Sequence, residues 1–175
     1  RYAKGLVDRD VVRIVTPGTV IEGSVLDGRA NNYLMSIARS GDRFGLAFAD
    51  ISTGEFVTTE FGPEDSESRV LTEFSQRAPK EVLYGDGLGG GRVLDELVLS
   101  GAAMTRLDDV AFLKEASESM LKRHFRLKSL DGLGLSDKPL AVSSAGAILR
   151  YLESTQKRSL DFLGTYCLVT VDVDG

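Results

Sequence analysis

The residues whose types and spacing could do chemistry begin with Gly85-Asp86-Gly87-Leu88-Gly89-Gly90, which matches G-x-G-x-x-G after the apolar run Val82-Leu83-Tyr84. In a dinucleotide site such glycines permit a tight turn and let a pyrophosphate approach a helix N-terminus, while an acidic residue about 20 positions on holds a ribose hydroxyl. Asp108 stands at about that distance. Three features weigh against this chemistry: the helix that follows spans about two turns, the unit comes after an antiparallel module, and no second βαβ half is visible. The run Gly89-Gly90-Gly91 also reads as a plain flexible loop.

Other reactive side chains are few. His124 lies next to Phe125 at the end of an amphipathic segment and reads as structural. Cys167 has no neighbour that would activate it, no serine sits in G-x-S-x-G, and no G-x-x-x-x-G-K-[ST] loop occurs anywhere in the chain. Lys122, Arg123, Arg126 and Lys128 form a basic cluster suited to phosphate or an acidic partner; a solvated face that favours the helix dipole is the plainer reading.

The elements that must position these residues follow from periodicity. Residues 43–61, RFGLAFADISTGEFVTTEF, read as a hairpin about the Ser52-Thr53-Gly54-Glu55 turn. Phe44, Leu46 and Phe48 share one face, Phe56 leads from the turn toward Phe61, and residues 31–39 supply a third strand. Pro63 opens a helix over about residues 64–77 with Val70, Leu71 and Phe74 inward. Glu81 to Tyr84 is a strand, Gly85 to Gly91 a loop, Arg92 to Leu99 a helix and Ala102 to Leu107 a strand. A helix from Val110 to Phe125 carries Val110, Leu113, Ser117 and Leu121 on one face. The last helix runs from about Pro139 to Gln156, with Asp137 as N-cap and Leu140, Ile148, Tyr151 and Leu152 inward. Upstream, VVRIVTPGT (residues 11–19) is a β-branched run closed by a Pro17-Gly18 turn.

This order, β-β-β-α-β-α-β-α, predicts an α/β fold: a ribonuclease-H-like mixed sheet of three antiparallel strands and then α/β units, flanked by helices. Nucleases on such a sheet need carboxylates converging on two metals about 4 Å apart, one from the middle of the first strand. That strand offers Leu34, Met35 and Ser36 instead, and Asp50 and Glu55 flank the hairpin turn, where acids cap turns or stay solvated. A metal nuclease is therefore disfavoured, though the fold alone decides no activity.

Composition narrows the class further. One His and one Cys cannot build a structural zinc site or an internal disulfide, which favours a reducing, cytoplasmic setting. No apolar run approaches the ~18 residues of a membrane span, and a net charge of −5 disfavours unassisted binding to a phosphate backbone. The chain opens on Arg1 and stops within the strand-like YCLVTVDVDG, so it reads as a piece of a longer protein. Residues 1–20 are expected to be a linker from a preceding domain, 21–158 the ribonuclease-H-like domain, and 159–175 a tail or the start of the next domain.

Taken together, VRIVTPGT at 12–19, Asn31-Asn32-Tyr33-Leu34, the ADISTGEF core at 49–56 and Pro79-Lys80-Glu81-Val82-Leu83-Tyr84 resemble the connector domain (domain II) of the MutS family. The likeness continues through His124-Phe125, Ser129-Leu130-Asp131-Gly132-Leu133-Gly134-Leu135 and Ala145-Gly146-Ala147-Ile148-Leu149, then Tyr151-Leu152 and Thr155-Gln156, over about residues 11 to 163. Each motif alone is weak; their order is specific. The resemblance implies a ribonuclease-H-like domain without nuclease activity, relaying between mismatch-binding and core or ATPase domains in DNA mismatch repair and offering a docking surface to MutL. It implies no catalytic residue, metal or cofactor here, ATP and magnesium belonging to the parent's ATPase domain and mismatched DNA to the parent as a whole. Within that reading Glu115, Glu118, Ser119, Met120, Lys122 and Arg123 are the candidate partner face, and Thr16, Pro17 and Gly18 the candidate hinge. The alternative is a dinucleotide-binding module at Gly85 to Gly90.

Overall fold

A computed structural model describes residues 10–12, 32–156 and 168–172; Thr16, Pro17, Gly18 and Cys167 lie outside the described residues. In chain order the strands are β1 (Asp10–Val12), β2 (Tyr33–Ser40), β3 (Arg43–Asp50), β4 (Glu55–Phe61), β5 (Glu81–Tyr84), β6 (Ala103–Arg106) and β7 (Leu168–Asp172). The helices are α1 (Ser66–Arg77), α2 (Arg92–Leu99), α3 (Lys114–Phe125) and α4 (Pro139–Thr155).

β2, β3 and β4 pair antiparallel in succession, while β5 joins β2 and β6 joins β5 in parallel. The full order is β1-β7-β4-β3-β2-β5-β6. Five central strands thus form the mixed, ribonuclease-H-like sheet that the sequence predicts. β7 extends it parallel to β4, and β1 pairs antiparallel with β7. These two short strands come from residues 1–20 and 159–175, the segments expected to flank the domain.

Side-chain alternation makes a three-layer body from this sheet. Tyr33, Met35 and Ile37 of β2 join Phe44, Leu46, Phe48, Val57 and Phe61 beneath Val70 and Phe74 of α1 and Val93 and Leu97 of α2. Leu34, Ala47, Ala49, Phe56 and Leu83 cover the opposite face, against α3, α4 and the loop leucines Leu130, Leu133 and Leu135. Phe56 and Phe61 therefore serve opposite layers, because they lie a step of five residues apart on β4 and an odd step reverses the face. Full burial of Phe44, Phe48 and Phe56 contributes about 2 to 3 kcal/mol each.

Four local expectations are corrected. The hairpin turn is Ile51 to Gly54, one residue early, since Glu55 already pairs with Asp50. α1 begins at Ser66, with Asp65 before it in the left-handed region at φ 54°, so Pro63 lies ahead of the helix. The helix expected from Val110 is two pieces: a 3-10 turn over Asp109–Phe112, then α3, separated by the extended Leu113. Ser117 and Leu121 are buried as the period demands, but Val110 and Leu113 are exposed at 47% and 50%. Asp137 is not the cap of α4; Lys138 occupies that position, with Pro139 opening the helix and no side-chain cap from either.

α4 is the pivot of the packing. Residues 141–149 are buried without interruption, because the helix lies between the sheet and α3. Its run of Ala, Ser and Gly follows from that squeeze. A Cβ on Gly45 of β3 would sit 2.2 Å from the Leu140 carbonyl oxygen, and one on Gly146 would sit 2.3 Å from Ser117 Cβ. Polar groups lock the same contact. Thr58 Oγ1 donates to the carbonyls of Leu46 and Ala141, and Ser144 Oγ donates to that of Gly45.

Candidate functional site

α3 is fixed from beneath and open above. Ser117 against Gly146, with Met120 and Leu121 in the core, seats one side of the helix on α4. That seating leaves Glu115, Ser119 and Arg123 exposed and Glu118 and Lys122 half-buried along the other side. The candidate partner residues thus share one accessible face, except Met120. At 7% exposure Met120 belongs to the core and drops out of that face, because the helix turns it toward the side occupied by Leu121.

The face ends in a basic segment. Arg126 closes α3 in the left-handed region at φ 58°, its N–H donating to the carbonyls of Arg123 and Lys122. Arg126 and Lys128 are exposed beyond it, and Arg123 pairs with Glu153 of α4 at 3.7 Å, both side chains more than half exposed. His124 lies edge-on to Phe125 at 4.8 Å and to Phe56 at 6.5 Å, which makes it part of the helix's aromatic seat.

The glycine loop is built differently from a dinucleotide cradle. After β5 the chain enters a 3-10 turn, Asp86–Leu88, that buries Leu88. Its amides are engaged within the protein: Asp86 N–H on the Asp109 carboxylate, Leu88 N–H on Gly85 O and Gly89 N–H on Asp86 O. A pyrophosphate would need those donors. Arg39 also donates to Leu88 O at 3.1 Å and pins the loop to the sheet. Asp108 caps the 3-10 turn Asp109–Phe112 through its backbone, with its side chain exposed. At the loop's rim Arg106 makes two hydrogen bonds to Asp86, at 2.7 and 2.8 Å, which hold the Asp86 carboxyl below its ordinary range.

The carboxylates weighed for metal chemistry are structural in their contacts. Asp50, fully buried, accepts from Asn32 N–H, Ser52 N–H and Ser52 Oγ and so shapes the hairpin turn. Glu55 accepts from Tyr33 Oη at 2.7 Å and lies 3.7 Å from Arg77, whose guanidinium covers the rings of Tyr33 and Phe48. Mid-strand, Ser36 Oγ is buried without a partner. Among the described residues no group of three or more His, Cys, Asp or Glu is placed to share a metal ion. No described helix is long and apolar enough to cross a membrane.

Two polar anchors escaped the sequence reading. Glu60, 4% exposed, caps α4 from the sheet: one carboxylate oxygen accepts from the N–H groups of Leu140 and Ala141 while the other meets Arg43. Glu81 receives Tyr151 Oη at 2.7 Å and Thr105 Oγ1 at 2.6 Å, tying β5, β6 and α4 together. The hydrogen bond to Glu81, with burial, raises the Tyr151 phenol above its ordinary value of 10.0. Glu60 had one signal, an acid on the inward side of a strand alternation; Glu81 and Tyr151 are 70 residues apart, and their pairing has no local signature.

Comparison with known proteins adds a family. The profile described as MutS domain II matches residues 32–163. A DNA mismatch repair protein MutS from Methanococcoides burtonii is 39% identical over 161 residues, covering 91% of this chain and 18% of the relative. One from Symbiobacterium thermophilum is 43% identical, with the same shares of each chain. The chain thus spans about a fifth of the length of these curated relatives. Among solved structures, T. thermophilus RuvC in complex with Holliday junction substrate matches 71% of this chain and 97% of its own, with a TM-score of 0.46 and 14% identity, a likeness too slight to carry a function over.

Proposed function

The chain belongs to the MutS domain II family, the second domain of a DNA mismatch repair protein, and from that premise we propose that it is a non-catalytic connector. It relays movement between mismatch-binding and core or ATPase domains of the parent and docks MutL on the outer face of α3. The observation that carries this reading is the junction of α4. Glu60, Thr58, Ser144, Gly45 and Gly146 together bind the sheet, α4 and α3 into one body, so displacement at one element is transmitted to the others.

The docking face comprises Glu115, Glu118, Ser119, Lys122 and Arg123. Interspersed charges of both signs beside a small residue suit a polar, reversible interface. In this reading the fragment holds no cofactor or metal; ATP, magnesium and mismatched DNA are engaged elsewhere in a parent that works in the cytoplasm. The test is capture of purified MutL by the immobilised chain, comparing wild type with the Glu115→Lys/Ser119→Arg variant. Loss of binding in the variant with an unchanged melting temperature supports the reading, and equal binding by both removes this face from it.

A further inference from the structure

We infer that the C-terminal end of α3 recognises an acidic protein surface and steers the approach of the docking partner. The inference rests on the reading of α3 as the MutL face and deepens it by naming the chemistry of the surface that meets it.

Four of the seven residues from 122 to 128 are Lys or Arg, in a chain whose net charge is −5. The helix dipole explains cations within the last turn, where Lys122 and Arg123 lie, but its influence fades past the end of the helix. Arg126 and Lys128 stand beyond the last residue of α3 and are exposed. Of the four, only Arg123 makes an ion pair among the described residues, with Glu153, leaving Lys122, Arg126 and Lys128 without one.

The backbone fixes where the third cation stands. Arg126 is a non-glycine residue at φ 58°, where glycine or asparagine would close the helix with less strain. Ala78 closes α1 in the same region at φ 46°, so what sets Arg126 apart is the exposed cation that it carries at the helix stop.

Duplex DNA fits this surface less well than protein does. Glu115 and Glu118 lie one to two turns upstream on the same helix and would face a continuous line of phosphates, whereas a protein surface can alternate sign to match. The complementary surface is therefore acidic opposite residues 122–128 and neutral or basic opposite Glu115 and Glu118.

The experiment is association kinetics of the immobilised chain with purified MutL between about 50 and 300 mM NaCl, with a duplex of about 30 base pairs run in parallel. Wild type is compared with Arg126→Glu/Lys128→Glu and with Arg126→Gly. Steering predicts an association rate that falls with salt, drops about tenfold in the charge-reversed variant, and leaves dissociation nearly unchanged. Arg126→Gly should slow association while raising the melting temperature, a combination that a purely structural arginine would not give. A salt-independent rate equal in all three proteins overturns the inference but leaves the docking face standing. Absence of MutL binding by wild type overturns both. Duplex binding that the charge reversal abolishes, with MutL association unaffected, assigns the cluster to phosphate and overturns the acidic-surface reading.

Discussion

Two sets of glycines in this molecule differ in sequence and in space, and the inconspicuous set is the more tightly packed. Gly45 and Gly146 sit singly in ordinary runs, yet a Cβ at either would lie within 2.3 Å of a neighbouring residue. Gly89, Gly90 and Gly91 form the conspicuous cluster, and a Cβ at any of them would meet nothing within 4 Å. A glycine motif therefore reports only that the chain can bend. Gly89 and Gly91 are used for that bending, at φ 68° and 124°, whereas Gly45 and Gly146 are required by packing, where α4 meets β3 and α3.

The sharpest way to break this contrast is to add a side chain at each place. Gly146→Val should destabilise the fold by about 3 kcal/mol, read as a lower urea midpoint, because the clash reaches the Ser117 Cα as well as its side chain. The milder Gly146→Ala should be partly rescued by Ser117→Gly in the same chain, since the clash is with that Cβ. Gly90→Ala should leave the midpoint unchanged or slightly higher, as a restricted unfolded chain would. Equal costs at positions 146 and 90 would contradict the account of α4.

The next effect is at Glu60. Glu60→Ala removes the sheet's cap on α4 and leaves Arg43 and two helix N–H groups without their carboxylate, which should cost about 2 kcal/mol. A smaller effect belongs to Tyr151, half-exposed at the far end of α4. Tyr151→Phe should cost about 1 kcal/mol. Because the folded phenol is raised, its contribution is fully present below the unfolded value near 10 and is lost as pH climbs through the folded value. Wild type should thus lose stability on the alkaline side more steeply than the variant, and parallel curves would show that the Glu81 hydrogen bond contributes nothing. Last and smallest, neither NAD nor FAD should shift the melting temperature, since the amides of Asp86, Leu88 and Gly89 already have acceptors.

What the sequence made legible follows from the same contrast. Periodicity of 2 in residues 33–61 revealed β2, β3 and β4 and the face shared by Phe44, Leu46 and Phe48, because alternation is a local property. The period from Val110 was misleading: 110, 113, 117 and 121 fit a helix, yet the extended Leu113 breaks it and only the second half is buried. Ordered local motifs identified the family, which the profile match over 32–163 bears out. Of the partner residues, five of the six share an accessible face, and Met120 faces the core because a helix position one residue away from a polar stripe can point either way. Strand alternation marks Glu60 as inward but not what it caps, and the Glu81–Tyr151 bond has no local trace, since both contacts join elements about 70 to 80 residues apart.

The most direct test of the central claim, a rigid body that presents α3, is hydrogen exchange of the chain with and without MutL. The account predicts that amides of α4 and β4 exchange only through global unfolding, and that MutL slows exchange in the segment from Glu115 to Lys128 and nowhere else. Rapid local exchange in α4, or protection centred instead on the exposed Val98 and Leu99 at the end of α2, would contradict it.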